Sequence, residues 1–304
     1  MIARSLWVLA LCATMAHADQ PVSTPATLTV PNATADAELA ALTNDPLLGK
    51  ADRISGEEAK GFVTFTFDDG PDPANTPAVV DALVRYNIPA TFFIVTRRLK
   101  QSAAAREILA RQLELGFQVA SHSATHPNLR RATAAKLATE IDDSIRTLAT
   151  IAERPIGLFR APFGALDKRG RELLRKRGLT EAFWSIDTLD WKAKHAERLR
   201  KKIFKMIVDQ NGGVVLLHDV KPITARVVAD VLDDLEAENC RRLADQRTPI
   251  WPVSIHYFLR DKKQPRAIPA HVQQATAAYQ RALPARCAAR PIAVPAVLAP
   301  LVFE

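Results

Sequence analysis

The stretch VTFTFDDGPDP, residues 63–73, ends an alternating apolar and threonine run with two adjacent carboxylates, Asp68 and Asp69, then turns at Gly70-Pro71. Two like charges at a strand end repel, so a neighbouring group must need or neutralise them. Further along, His122 and His126 stand four apart in SHSATHP. That spacing aims two imidazoles at one point if the backbone makes a helical turn, which Pro127 would end. Two neutral imidazoles and one carboxylate form a three-ligand set for a catalytic divalent cation, with a position left for water. The cation would neutralise one aspartate. The other, pointing the opposite way in an extended chain, would stay free as a general base. The residues alone leave open which aspartate takes which role. Arg160 could hold the base ionised through charge-assisted hydrogen bonds. His218 could protonate a leaving group, with Asp187 or Asp190 orienting it and raising its pKa. A cation, a base, an acid and a water describe hydrolysis.

These groups need a scaffold. Short apolar runs at 63–67, 90–95, 117–120, 157–160, 182–186, 214–217 and 253–257 read as strands. Amphipathic runs near 77–86, 102–115, 133–152, 168–177, 197–210 and 223–238 read as helices between them. Alternating strand and helix predicts a parallel sheet with crossover helices, and this number of units suggests a barrel rather than an open sheet. The chemistry-bearing residues follow the strands: Asp68 and Asp69, then His122 and His126, Arg160 to Gly164, Asp187 to Trp191, and His218 with Asp219. Strand carboxyl ends share one face in such folds, so these segments should converge on one pocket.

The segments TFDDGP (66–71), HSATH (122–126), RAPFG (160–164), DTLDW (187–191) and LLHD (216–219) resemble, in order, the five motifs of the polysaccharide deacetylase family. This is carbohydrate esterase family four, whose shared region is the NodB-homology domain. The resemblance covers roughly residues 60–240. It implies an α/β fold, a distorted (β/α)7–8 barrel, and metal-dependent removal of acetyl groups from a sugar polymer. The substrate class would be an acetylated glycan, whether peptidoglycan, chitin-type chain or exopolysaccharide. Position by position, the resemblance implies Asp68 as general base and Asp69, His122 and His126 as ligands of a divalent metal. Zn2+ is the first choice, with Co2+ or another divalent ion admissible. It implies Arg160 as partner of the base, the Phe163 N–H as oxyanion donor, and Asp190 as the carboxylate tuning the acid His218. The family often has Tyr at the Phe163 position, and a backbone donor should tolerate Phe. Trp191, Leu216 and Pro162 would contact substrate, while Asp187 and Asp219 would hold loops. An O-acetyl esterase would use the same constellation. A glycan-binding module that kept only the fold would not need the intact set. A non-haem iron oxygenase also uses two histidines and a carboxylate, but leaves Asp68 unexplained.

The ends of the chain differ from its middle. Residues 1–18 carry one early charge, an apolar run too short to span a bilayer, and Ala16-His17-Ala18, which together read as a signal peptide cut after Ala18. A short membrane anchor is the rival reading. Leu11 before Cys12 argues against a lipoprotein. The expected location is therefore exported, periplasmic or secreted, without stable membrane insertion after cleavage. Residues 19–57 read as a flexible leader with a short helix near 35–42, residues 58–260 as the catalytic domain, and 261–304 as a C-terminal extension with a helix near 269–282. The net charge of +8, less Arg4 in the signal, suits anionic envelope polymers. No aromatic-interleaved basic motif points to nucleic acid. The basic clusters at 198–202 and 241–242 read as solvated helix faces, and His195 and His256 as surface or structural residues. Cys240 and Cys287 remain after the signal is lost and are candidates for a disulfide, although nothing in the sequence sets their distance.

Overall fold

The computed structural model describes residues 35–290. Its frame is a parallel sheet of β1 (Phe62–Asp68), β2 (Ala90–Ile94), β3 (Gln118–Ser121), β4 (Leu158–Phe159), β5 (Thr180–Glu181), β6 (Ile186–Asp187), β7 (Gly213–His218) and β8 (Trp251–Pro252). The order is β5-β4-β3-β2-β1-β7-β6, with β8 also on β1. The sheet curls with helices outside it, as the distorted (β/α) barrel of the expected class does. Helices α1 (Ala35–Thr43), α2 (Thr76–Tyr86), α3 (Thr96–Gln101), α4 (Ala103–Glu114), α5 (Ala134–Ala152), α6 (Lys168–Lys176), α7 (Ala196–Gln210), α8 (Pro222–Ala244) and α9 (Ala270–Ala289) complete it, with a small hairpin of β9 (Arg260–Asp261) and β10 (Gln264–Pro265). Local chemistry marks the helix starts. Ser102, Thr133 and Asp167 each accept a backbone N–H from the first turn of α4, α5 and α6.

Both faces of β1 are buried, as a central parallel strand requires. Val63, Phe65 and Phe67 pack outward against helix residues such as Leu83 and Val228. On the inner side Phe93, Ala120, Leu158 and Val214 form a second, smaller core with Leu48 and Ile54. That inner core plugs the barrel below the strand ends, so the space above it is left for the polar residues.

Two expected strands change form. The run 182–186 is not one strand: β5 pairs with β4 on one sheet edge and β6 with β7 on the other. Residues between them cross the seam of the barrel, held by Ala182 N–H to Phe159 O (2.9 Å) and Ser185 N–H to Val214 O (3.2 Å). The run 253–257 gives way to a 3-10 turn, Ile255–Phe258. β8 reaches only Phe62 and Val63 of β1, because β2 takes the same edge from Phe65 onward.

Residues 35–57, expected within a flexible leader, are an ordered part of the fold. α1 packs on α5, and the following strap covers the seam. Lys50 N–H donates to Gly178 O, Ile54 N–H to Glu181 O and Phe183 N–H to Ile54 O at 2.9–3.0 Å. Leu48 and Ile54 are buried beneath it. The expected signal peptide and residues 19–34 lie outside the described residues. At the other end α9 packs against α8, and a disulfide joins Cys240 to Cys287. No helix among the described residues is long and apolar enough to cross a membrane.

Candidate active site

The ends of β1, β3, β4, β6 and β7 surround one cleft of about 550 Å3, lined by Asp68, Asp69, His122, His126, Phe163, Trp184, Asp187, Trp191, Leu216, His218 and Lys221. Asp68 closes β1 as a buried carboxylate. Its Oδ1 accepts from Arg160 Nη1 at 2.8 Å, and its Oδ2 lies 3.6 Å from His122 Nε2. Arg160 is 0% exposed. It also donates to Thr66 Oγ1 (2.8 Å), Ala182 O (3.3 Å) and Phe183 O (3.1 Å), and stacks over Phe93. Burial pulls its pKa down while Asp68 pulls it up. A buried guanidinium is tolerated because its donors have acceptors and its charge has a partner.

Asp69 also faces the cleft, contrary to the expectation for neighbours in an extended chain. The extended geometry ends at Asp68: Asp69 has φ 77° and so turns its side chain back toward the same side. The next residue must be Gly, since a Cβ at Gly70 would stand 2.3 Å from Asp219 Oδ2. Asp219 is buried, accepts from Thr76 Oγ1 (2.6 Å), and is pushed up to about 7 by burial. It holds the turn from behind, as expected of a loop-holding residue.

The two histidines are not carried on a helical turn. Residues 122–126 form a tight loop in which Ser123 and His126 both have positive φ, 69° and 66°. Ser123 Oγ accepts from the His126 N–H, 3.0 Å. Glu140 of α5 accepts from the Thr125 N–H (2.7 Å) and hydroxyl, and its carbonyl accepts from the Ala124 N–H. Burial pushes the Glu140 carboxyl up, but Lys136 and Thr125 outweigh it and keep it low. Glu140 was not among the expected site residues. It sits in an ordinary amphipathic helix, and no spacing links it to residue 125.

His122 Nδ1 lies 2.8 Å from Arg160 O, so the ring donates there and leaves Nε2 as a lone pair. Burial drives its pKa down despite the nearby Asp68 and Asp69, which keeps it neutral. Asp69 Oδ1 lies 3.6 Å from His122 Nε2 and 3.0 Å from His126 Nε2. Burial raises the Asp69 pKa, but His126, His122 and His218 outweigh it and hold the group well below the usual carboxylate range. One donor atom from each of Asp69, His122 and His126 lies within 4.8 Å of the others. Asp69 Oδ1 is buried and makes no hydrogen bond of acceptable geometry. A buried, unsatisfied carboxylate oxygen facing two imidazole nitrogens fits a divalent cation.

Across the cleft, His218 ends β7. Its Nδ1 lies 2.7 Å from Asp190 Oδ1, and its N–H donates to Asp190 Oδ2 at 2.7 Å. Thr224 also donates to Asp190. Burial opposes the charge on His218, but the bond to Asp190 and the carboxylates of Asp190, Asp68 and Asp69 raise its pKa to about 9. Phe163 sits at φ 59° within the 3-10 turn Pro162–Gly164. Its N–H has no protein acceptor among the described residues. Its ring is 67% exposed at the rim, 4.7 Å from that of His126. Trp191 is 53% exposed and Leu216 is buried, both lining the cleft. Pro162, expected to contact substrate, is buried in the turn and does not line the cleft. Asp187 accepts the Leu189 N–H, 3.1 Å, and so holds its loop while lining the cleft. Trp184 and Lys221 are cleft residues that the motifs did not include. Trp184 read as one more apolar residue of a strand.

Fold and site together define a (β/α)-barrel protein with an Asp-His-His cluster facing a His–Asp pair. The family model for polysaccharide deacetylase matches residues 55–182. A chitooligosaccharide deacetylase of Azorhizobium caulinodans is 33% identical over 187 residues, which are 61% of this chain and 85% of that protein. The chain belongs to the polysaccharide deacetylase family. A peptidoglycan N-acetylglucosamine deacetylase of Listeria monocytogenes is 34% identical over 180 residues, 58% of this chain. The match spans only 36% of that relative's length. A family 4 carbohydrate esterase from Streptomyces lividans, solved with acetate, superposes with a TM-score of 0.53 at 29% identity, over 59% of this chain and 91% of that one.

Proposed function

We propose that the protein is a metal-dependent deacetylase that hydrolyses N-acetyl groups on the sugar residues of a polysaccharide and releases acetate. The observation that carries this reading is the double engagement of Asp68. One oxygen is held by buried Arg160 and the other stands beside the Asp69–His122–His126 cluster. Asp69, His122 and His126 would hold the divalent cation, Zn2+ in the first place. When bound, it supplies Lewis acidity that polarises the acetyl carbonyl and makes a water more acidic.

The chain's own residues do the rest. Asp68 accepts the proton of the attacking water, and Arg160, 2.8 Å from its Oδ1, holds the carboxylate in place. The Phe163 N–H donates to the carbonyl oxygen as negative charge develops there. His218, protonated below about pH 9, gives its Nε2 proton to the departing nitrogen, while Asp190 holds Nδ1–H. An amide nitrogen leaves as a neutral amine only with such a proton, so this pair meets the need of N-acetyl hydrolysis. Trp191 and Leu216 give the acetyl methyl an apolar wall. The disulfide supports an oxidising, exported location, which fits a glycan substrate outside the cytoplasm. The test is metal content and acetate release from N-acetylated chitin oligomers and peptidoglycan, against O-acetylated xylan. About one metal per chain and chelator-sensitive acetate from an N-acetylated glycan supports the reading. Release from O-acetylated xylan alone overturns it.

A further inference from the structure

A second cavity, of about 230 Å3, opens on the far side of the loop that carries Asp190 and Trp191. Its wall includes Thr188 and Leu189, and its charged lining is Lys192, Lys194, His195, Arg198 and Lys202. No carboxylate among the described residues lines it. Among the described residues, none of these five basic side chains is in an ion pair. The acid nearest in sequence, Glu197, is engaged by Arg200 and Lys201 at 3.3 Å and stays outside the lining. Lys202 Nζ donates to Thr188 O, 2.7 Å, and leans over the loop. The Lys and Arg side chains of this lining are exposed, so an anionic ligand there would meet several positive charges in reach of solvent.

The cavity and the cleft share one piece of chain. Asp187 and Trp191 face the cleft, while Thr188, Leu189 and Lys192 face the cavity. Lys192 Nζ stands 5.2 Å from the Trp191 ring centroid, so an exposed aromatic face and an ammonium adjoin at the boundary. The cleft itself holds another ammonium, Lys221, which is in no ion pair among the described residues. A sugar ring against Trp191 would place its neighbour on the same strand beside the basic cavity.

We propose that this cavity is an anion subsite that reads carboxylates on the glycan strand whose acetyl group occupies the cleft. The preferred substrate is then a carboxylated N-acetyl-amino-sugar polymer rather than a neutral one. This rests on the deacetylase reading for the identity of the strand, and it makes part of the basic run near 198–202 a recognition surface rather than a solvated face.

The experiment compares the full chain with the Lys194→Glu/Arg198→Glu double variant and a Lys194→Arg/Arg198→Lys control. Co-sedimentation is measured with peptidoglycan stripped of attached phosphate polymers, with chitin, and with a phosphate-bearing wall polymer. KM and kcat follow on soluble fragments of each. Wild type should prefer the carboxylated glycan over chitin by about tenfold at low salt. The preference should collapse at about 1 M salt, where screening acts within about 3 Å. The charge reversal should remove it through KM, with kcat and chitin binding unchanged, and the control should keep it. Equal binding of both glycans by wild type overturns the proposal, as does equal loss on both in the variant. A preference for the phosphate polymer overturns the carboxylate assignment. Should the reversed variant fail to fold, the wild-type preference and its salt dependence decide alone. No acetate from any glycan, with Arg198-dependent binding intact, would sink the deacetylase reading and leave the subsite standing.

Discussion

At the β3 end of the cleft, His122 is buried, its Nδ1 faces the neutral carbonyl of Arg160, and its pKa is driven down. At the β7 end, His218 is partly buried, its Nδ1 faces the carboxylate of Asp190, and its pKa is raised to about 9. Burial pushes both rings the same way. The outcomes differ because burial of His122 outweighs Asp68 and Asp69, each 3.6 Å from its Nε2, whereas the direct bond from His218 to Asp190, with the other carboxylates, outweighs burial. One side of the cleft therefore offers lone pairs and the other offers a proton. Separated titration of like groups is how one site runs base and acid chemistry at one pH.

The largest expected effect comes from destroying the lone-pair side. His122→Ala should lose the metal and lower acetate release by ~1,000-fold or more, since metal assistance is worth several kcal/mol. Metal analysis and single-substrate kinetics check this. Asp68→Asn should keep the metal and lower kcat by about 100- to 10,000-fold. A near-normal rate with metal bound would remove Asp68 from the role of base. His218→Ala should cost a similar factor. Asp190→Asn makes the partner of His218 neutral, as that of His122 is. Its kcat should fall less, by about tenfold, because the acid group remains. The alkaline limb of the pH profile should move to lower pH in that variant. In the wild type this limb belongs near pH 9, because His218 is raised from its ordinary 6.5 to about 9. The His218–Asp190 pair contributes stability in full below the unfolded value and loses it as pH rises through about 9, which pH-dependent denaturation would show. The smallest effect on catalysis is expected far from the cleft. A Cys240→Ser/Cys287→Ser variant opens a cross-link of sequence separation 47. It should lose about 4 kcal/mol of stability by loop entropy, with kcat unchanged.

Strands such as 90–94 and helices such as 134–152 were legible because their apolar periodicity matches the burial they reach. The seam at 182–185 was not. Its residues are as apolar as a strand's, and only the sheet order reveals that they bridge two edges. The strap at 44–57 was missed for the converse reason: its stability comes from backbone bonds to β5 and Ile54 burial, which composition does not encode. In the cleft and directly behind it, Asp68, Asp69, His122, His126, Arg160, Asp190 and His218 were all visible as polar groups following strands. Glu140, Trp184 and Lys221 were not, because they reach the cleft or its loop from elements without a motif.

By itself, the sequence determined which chemical groups exist and at which strand ends they stand, because alternation and turn chemistry are local properties of the chain. It could not determine where those groups point. Asp68 and Asp69 share a cleft only because a left-handed residue ends the strand, and Gly70 allows Asp219 to stand against it. The opposed shifts of His122 and His218 were likewise left to the fold, since they depend on how deeply long-range packing buries each ring and on whether a carboxylate bonds it directly.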